Sequence, residues 1–227
     1  MIMHGNDKED RYRRDRERMV RLHLRGRGIV DPRVLSAMER VPREAFVPEQ
    51  YASQAYADGP LPIGDGQTIS QPYIVALMSQ ELRVEPRDRV LELGTGSGYQ
   101  TAVLSKMADR VYTIERIAEL SERARGMLAR IGVSNVEYYV GDGSQGWPAE
   151  RMPEGGCFER IMITAAVPEI PGPVADQLAE GGVLVAPTGG RTSQRLMVYE
   201  KENGRLVQHF VCDVRFVRLL GEHGFGT

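Results

Sequence analysis

An α/β protein with a doubly wound, mostly parallel sheet is predicted by three observations. From residue 89 onward, short apolar runs of strand length alternate with segments of helical spacing. The first of these runs enters a glycine-rich turn, and the last two flank Glu202-Asn203-Gly204, where Asn-Gly signals an antiparallel hairpin at the C-terminal end.

Taken in order, residues 1–28 mix arginine with aspartate and glutamate around Met19, Val20, Leu22 and Leu24. This is the pattern of a solvated helix with a modest apolar face, its first ten residues expected to be disordered. The arginines from Arg11 to Arg27 admit a second reading, an RNA-binding arm, which the interleaved acids oppose. Asp31-Pro32 supplies an N-cap and a first-turn proline to a short helix carrying Val34, Leu35 and Met38, stopped before Pro42. From Pro42 to Gly66, four prolines and three glycines punctuate a segment holding Phe46, Tyr51 and Tyr56, which predicts long irregular chain able to cover a ligand. It ends in Gly66-Gln67-Thr68-Ile69-Ser70-Gln71-Pro72, after which residues 73–82 have helical spacing, so Ser70 is expected to be the N-cap.

Beyond the glycine turn, strands are expected over 111–114, 136–140, 158–164 and 183–186. Helices are expected over 117–131, ending at Gly132, and around 174–179, and the hairpin strands over 195–201 and 205–212. This order of β/α units with a terminal hairpin is the layout of a Rossmann-like class I methyltransferase sheet.

Composition narrows the function classes. At 227 residues the chain fits one large domain with small additions, and a net charge of −2 gives no bulk attraction to nucleic acid or an anionic membrane. Cys157 and Cys212 lie far apart with no Cys-x-x-Cys or histidine pairing, so neither a metal site nor a disulfide framework is indicated. No run of ~18 apolar residues occurs and the N-terminus is charged, which predicts a cytoplasmic protein without a membrane span.

The chemistry centres on residues 89–104. Gly94, Gly96 and Gly98 lack a Cβ, so the backbone can turn sharply and approach a ligand. A dinucleotide turn would read Gly-x-Gly-x-x-Gly, but Tyr99 occupies its third glycine position. The spacing is Gly-x-Gly-x-Gly with Glu92 two residues upstream, and a carboxylate there suits a cationic amino-acid ligand, which favours S-adenosylmethionine. Glu115 ends the next strand, where an acid accepts hydrogen bonds from both ribose hydroxyls of either adenosine ligand. Asp142, after the third strand, is placed to accept from an adenine amino group, though Asp-Gly is equally an ordinary turn.

Three stretches resemble the protein-L-isoaspartate O-methyltransferase family: the one from Gly66 to Pro72, the one from Leu91 to Thr101, and Thr164-Ala165-Ala166-Val167-Pro168-Glu169-Ile170-Pro171. Val41-Pro42-Arg43-Glu44-Ala45-Phe46-Val47-Pro48 and Gly141-Asp142-Gly143 with Gly146-Trp147-Pro148 also match, and the resemblance runs from about Val34 to Gly221. Arg218 departs from it, standing where the family usually has proline.

The resemblance implies methyl transfer from S-adenosyl-L-methionine to L-isoaspartyl carboxylates in damaged proteins. A monomer is expected, with neither nucleic acid nor a membrane as partner. The resemblance also implies that Ser70 is the active-site residue, with Thr68 and Ile69 beside it. The cofactor falls to Glu92, Gly94, Thr95, Gly96, Gly98, Thr101, Glu115, Asp142 and Gly143, and the peptide to Ala165, Ala166, Val167 and Val214. The expected organisation is a charged extension at 1–30, helices and a substrate-covering loop at 31–83, and a cofactor-binding core at 84–221. Rival readings are a methyltransferase of another carboxylate and a cofactor-retaining binding protein without turnover.

Overall fold

The computed structural model describes residues 5–226. Helix α1 (Gly5–Met19) continues through one π-helical turn, Val20–Leu24, and a short 3₁₀ turn to Gly28, whose φ of +92° breaks the helix. Met19, Val20 and Leu24 are buried in the main core while Leu22 faces solvent, so the apolar face is real but narrower than the sequence pattern. The predicted disorder of the first ten residues fails from Gly5 onward, where helix has formed, and for 1–4 it lies outside the described residues.

Helix α2 (Pro32–Arg40) starts as expected: the Asp31 carboxylate accepts from the Arg33 and Val34 amides at 2.8 and 3.4 Å. The segment predicted to be irregular carries more structure than its prolines and glycines indicate. It holds two 3₁₀ stretches, Arg43–Phe46 and Glu49–Gln54, and then the small hairpin of β1 (Leu61–Gly64) and β2 (Gln67–Ile69). Tyr56, Leu61 and Ile63 bury their side chains in the main core, and that packing organises a segment too short in any one stretch to show a period.

Helix α3 (Pro72–Leu82) begins one residue later than Ser70 would require. Gln71 holds the N-cap position and no side chain caps the end. The Ser70 N-cap is therefore a correction: Pro72 has no amide hydrogen to offer, and the Ser70 carbonyl is taken instead by Arg43.

The main sheet follows: β3 (Arg89–Leu93), α4 (Tyr99–Ser105), β4 (Arg110–Glu115), α5 (Ala118–Arg130), β5 (Val136–Val140), β6 (Phe158–Ile163), α6 (Gly172–Asp176), β7 (Leu178–Gly189), β8 (Gln194–Glu202) and β9 (Arg205–Val214). Its order is β5-β4-β3-β6-β7-β8-β9, parallel through β7 and antiparallel for the last two strands. Val90 and Met162 face the cluster that holds α2, α3 and α4, whereas Leu91, Leu93, Ile161 and Ile163 face a second cluster with Trp147 and Phe158. That period of two places Glu92 on the α4 side.

The helix expected around 174–179 is shortened to α6, because Leu178 already pairs with Phe158 as β7 begins. Gly181, at φ +72°, and Gly182, where a Cβ would stand 2.7 Å from the Ala179 carbonyl, absorb the irregularity inside the strand. Strand pairing overrides helical spacing here.

Candidate functional site

The chain reverses its winding direction between β3 and β6, and the crevice beyond their carboxyl ends is where an open α/β sheet binds ligands. Three left-handed glycines build the turn there, Gly94 (φ +100°), Gly96 (+53°) and Gly98 (+86°). A Cβ on Gly94 would stand 2.4 Å from Thr164 Oγ1, so this glycine answers a close approach as well as a conformation. Thr164, the residue after β6, shares its hydroxyl proton between the carbonyls of Leu93 and Gly94 at 2.8 and 2.6 Å. Glu115 fastens the turn from the other side, accepting from the Gly96 amide at 2.9 Å and the Ile117 amide at 3.0 Å.

A cleft of about 950 Å³, including its open mouth, lies over this turn. Of the residues singled out in the sequence, Thr68, Ile69, Ser70, Gly94, Thr95, Gly96, Glu115, Gly143 and Ala165 line it. An adjoining cleft is lined by Val214 and shares Thr68, Ser70, Thr164, Phe216 and Val217 with the first, so the two meet at Ser70 and Thr164. Among the described residues the Ser70 hydroxyl makes no hydrogen bond; only its carbonyl is engaged.

Glu92, Gly98, Thr101, Asp142, Ala166 and Val167 do not line the cleft over the glycine turn themselves, although each neighbours a residue that does or supports one. Glu92 is fully buried; its Oε2 accepts from the Thr101 and Thr113 hydroxyls at 2.5 and 2.8 Å, and its Oε1 has no partner. Burial pushes its pKa up to about 8, against the lowering effect of the two threonines. Thr95 joins the same chain of hydroxyls through Thr113 at 2.7 Å.

Asp142 is committed to the C-terminal tail. Its oxygens accept from the Ser144 amide and hydroxyl and, at 2.8 Å, from the Glu222 amide. Burial alone would raise its pKa, but these three donors together hold it below the ordinary carboxylate range. Ala166 and Val167 act through backbone: Ala166 donates to the Val217 carbonyl at 2.7 Å and accepts from the Leu219 amide at 2.8 Å. The Arg218 amide takes no part in that bridge, so a proline at this position would cost it no hydrogen bond.

Sequence reasoning missed Tyr99, Thr164, Phe216 and Val217 as cleft-lining residues, and Arg43 behind them. Tyr99 and Thr164 lie inside stretches already singled out and were within reach. Phe216 is placed by the buried Gln194, whose Oε1 accepts its amide at 3.0 Å, and nothing local to residue 216 signals that.

The donor set fits an adenosine ligand. The left-handed turn lays the backbone of Gly94 and Gly96 bare along the cleft, Glu115 adds a carboxylate at the end of β4, and the orphaned Glu92 Oε1 is buried nearby. This sheet and site define a class I methyltransferase of the S-adenosylmethionine-dependent kind. Residues 14–224 match the family model described as Protein-L-isoaspartate(D-aspartate) O-methyltransferase. The chain belongs to the protein-L-isoaspartate O-methyltransferase family.

Its similarity to individual members is high. It is 50% identical over 216 residues to the protein-L-isoaspartate O-methyltransferase of Methanoculleus marisnigri, covering 95% of this chain and 96% of that one. It is 51% identical over 225 residues to that of Desulfosudis oleivorans, covering 99% of each. A solved protein-L-isoaspartate O-methyltransferase superposes with a TM-score of 0.81 at 31% identity, covering 92% of this chain and 67% of that one. A Plasmodium falciparum structure described as a protein-L-isoaspartate O-methyltransferase in complex with S-adenosyl-L-homocysteine gives 0.79 at 29% identity, covering 90% and 98%.

Proposed function

We propose that this enzyme transfers the methyl group of S-adenosyl-L-methionine to the free carboxylate of L-isoaspartyl residues in damaged proteins. The observation that carries the reading is the junction at Ser70 and Thr164, where the cleft over the glycine turn opens into a second cleft along the extended segment 213–217. When bound, the cofactor supplies an electrophilic sulfonium methyl. Glu115 would accept the ribose hydroxyls, the backbone of Gly94 to Gly96 would hold the amino-acid portion, and Gly143, with Asp142 before it, would hold the adenine. Glu92 acts from beneath, through Thr101 and Thr113, by holding the floor of the turn.

The substrate carboxylate is the nucleophile. It is ionised at neutral pH, so its oxygen bonds to the methyl carbon as the carbon–sulfur bond breaks, and no general base is required. Placement then dominates, since in-line positioning is worth effective molarities of about 10⁵–10⁸ M. Ser70 donates its unengaged hydroxyl to one carboxylate oxygen and leaves the other to attack. Thr68 and Ile69 flank it, and Ala165, Ala166, Val167 and Val214 form the wall along which the peptide backbone runs.

The same reading takes the protein as a cytoplasmic monomer acting on polypeptides rather than on nucleic acid or membranes. A net charge of −2 supplies no bulk attraction to nucleic acid or an anionic membrane, and among the described residues no helix is long and apolar enough to cross one. The test is labelled methyl transfer to two peptides of one sequence, with L-isoaspartate or L-aspartate at a single position. A base-labile ester on the isoaspartyl peptide alone is expected. Equal labelling of both, or of a free carboxylic acid in preference, would reassign the substrate.

A further inference from the structure

Arg43 has no exposed surface, and among the described residues it is one of the largest fully buried side chains and forms no ion pair. A buried guanidinium ordinarily faces a carboxylate, because an unpaired charge in the interior is costly. This one faces neutral groups. Nε donates to the Ala55 carbonyl at 2.7 Å and Nη2 to the Ser70 carbonyl at 2.8 Å, while Cζ lies 4.8 Å from the centre of the Tyr99 ring. Nη1 is buried without a partner. Burial lowers its pKa to about 10, so it remains a cation at neutral pH.

Both Ser70 and Tyr99 line the cleft, so the guanidinium lies directly behind its wall. Ser70 sits between the end of β2 and the proline that opens α3, where no regular hydrogen-bond ladder fixes its backbone. Holding the Ser70 carbonyl fixes the plane of its peptide group, and with it the direction in which Cα presents Cβ and the hydroxyl. The planar fork reaches two carbonyls at once, Ala55 and Ser70, which a lysine ammonium on a flexible stem does not match.

We propose that Arg43 is a positioning residue for the methyl-transfer step: its buried guanidinium clamps the Ala55 and Ser70 carbonyls and so aims the Ser70 hydroxyl at the substrate carboxylate. The inference rests on the assignment of Ser70 as the substrate-orienting donor. Its signature is coupling to Ser70, because a residue that works only through the hydroxyl has nothing to position once the hydroxyl is gone.

The test is a double-mutant cycle on the full chain with Arg43→Met and Ser70→Ala, reading kcat and KM on the isoaspartyl peptide and the Kd of S-adenosylhomocysteine by calorimetry. Arg43→Met is expected to lower kcat by about 30-fold when Ser70 is present and by less than about 3-fold when it is alanine, with the Kd changed less than about 3-fold. Arg43→Lys, which keeps the charge and loses the fork, carries the same cycle if the methionine variant does not fold, with a smaller loss expected in the Ser70 background. Equal fold-losses in the two backgrounds, or a loss of cofactor affinity matching that of kcat, would overturn the proposal and leave Arg43 as a core residue. Normal turnover by Ser70→Ala would instead overturn the role of Ser70, and no transfer by the wild type would overturn the substrate reading beneath both.

Discussion

At one end of the cleft, the turn from Gly94 to Gly98 follows directly from β3 and is fastened by a carboxylate from the neighbouring strand, Glu115. At the other end, around Ser70, Phe216 and Val217, no strand ladder holds the wall. Contacts from distant parts of the chain hold it instead: Arg43 reaches the Ser70 carbonyl across 27 residues, Gln194 reaches the Phe216 amide across 22, and the Ala166 amide takes the Val217 carbonyl. The glycine-turn end, proposed for the cofactor, is thus an extension of the sheet's edge, whereas the Ser70 end, proposed for the peptide, is a set of irregular segments pinned by buried polar side chains and by the Ala166 backbone. Each pin should therefore be separately breakable, with effects confined to its own end.

The largest expected effect is that of Ser70→Ala. If its hydroxyl orients the carboxylate, kcat should fall by about 10²-fold, the cost of one preorganised donor, with cofactor affinity unchanged within about 3-fold. Comparable losses in both quantities would mean that the two ends are not independent. Glu115→Ala reverses the pattern. It removes the acceptor of the Gly96 and Ile117 amides together with the ribose anchor, so the Kd of S-adenosylhomocysteine should rise by about 10- to 100-fold, or about 1.4–3 kcal/mol, while kcat at saturating cofactor holds. An unaltered Kd by calorimetry would refute that assignment.

Gln194→Leu is a gentler probe of the peptide end. It strips the acceptor from the Phe216 amide and the donor to the Gly190 carbonyl, so peptide KM should rise about 5-fold with cofactor binding intact. A change in cofactor Kd with no change in KM would contradict it.

The last effect is on stability rather than on turnover, and it belongs to pH. Because folding raises the Glu92 pKa from 4.5 to about 8, the unfolded chain releases this proton at a lower pH than the folded one. Its contribution to stability is therefore lost progressively as pH rises from about 4.5 to 8, at a rate on the order of 1 kcal/mol per pH unit, and is constant above. Glu92→Gln should flatten that decline in thermal melts of the cofactor-free protein. Parallel melting curves for both proteins over this range would show that Glu92 is ionised in the fold.

How much was legible differs between the ends for the same reason. Gly94, Gly96, Gly98, Glu92 and Glu115 announce themselves because strand, turn and acid lie at short, fixed spacings, and local backbone geometry dictates the residue types. Asp142 shows the limit of that logic: its position after the third strand was readable, but its engagement by the Glu222 amide, 80 residues on, was not. Ser70 was visible as a polar residue before a helix and was given the wrong local job, since capping is judged from neighbours whereas its carbonyl partner is Arg43. Arg43 itself lay in plain view in a short motif between prolines, with nothing nearby to say that an arginine would be wholly buried.

The alternation of period-two and helical segments, the glycine spacing and the terminal Asn-Gly were enough to predict a mostly parallel sheet with a terminal hairpin and a glycine turn after β3, because each signal is carried by residue types a few positions apart and alternating strands and helices leave few other ways to cover both faces of a sheet. Only the tertiary structure decided that β7 begins at Leu178, that Glu92 lies beneath the cleft rather than in it, and that Ser70 and Thr164 meet where two clefts join. Those outcomes depend on which side chains are left in the interior when distant segments pack, and desolvated groups such as Arg43 and Gln194 then bond to whatever backbone the packing brings within reach.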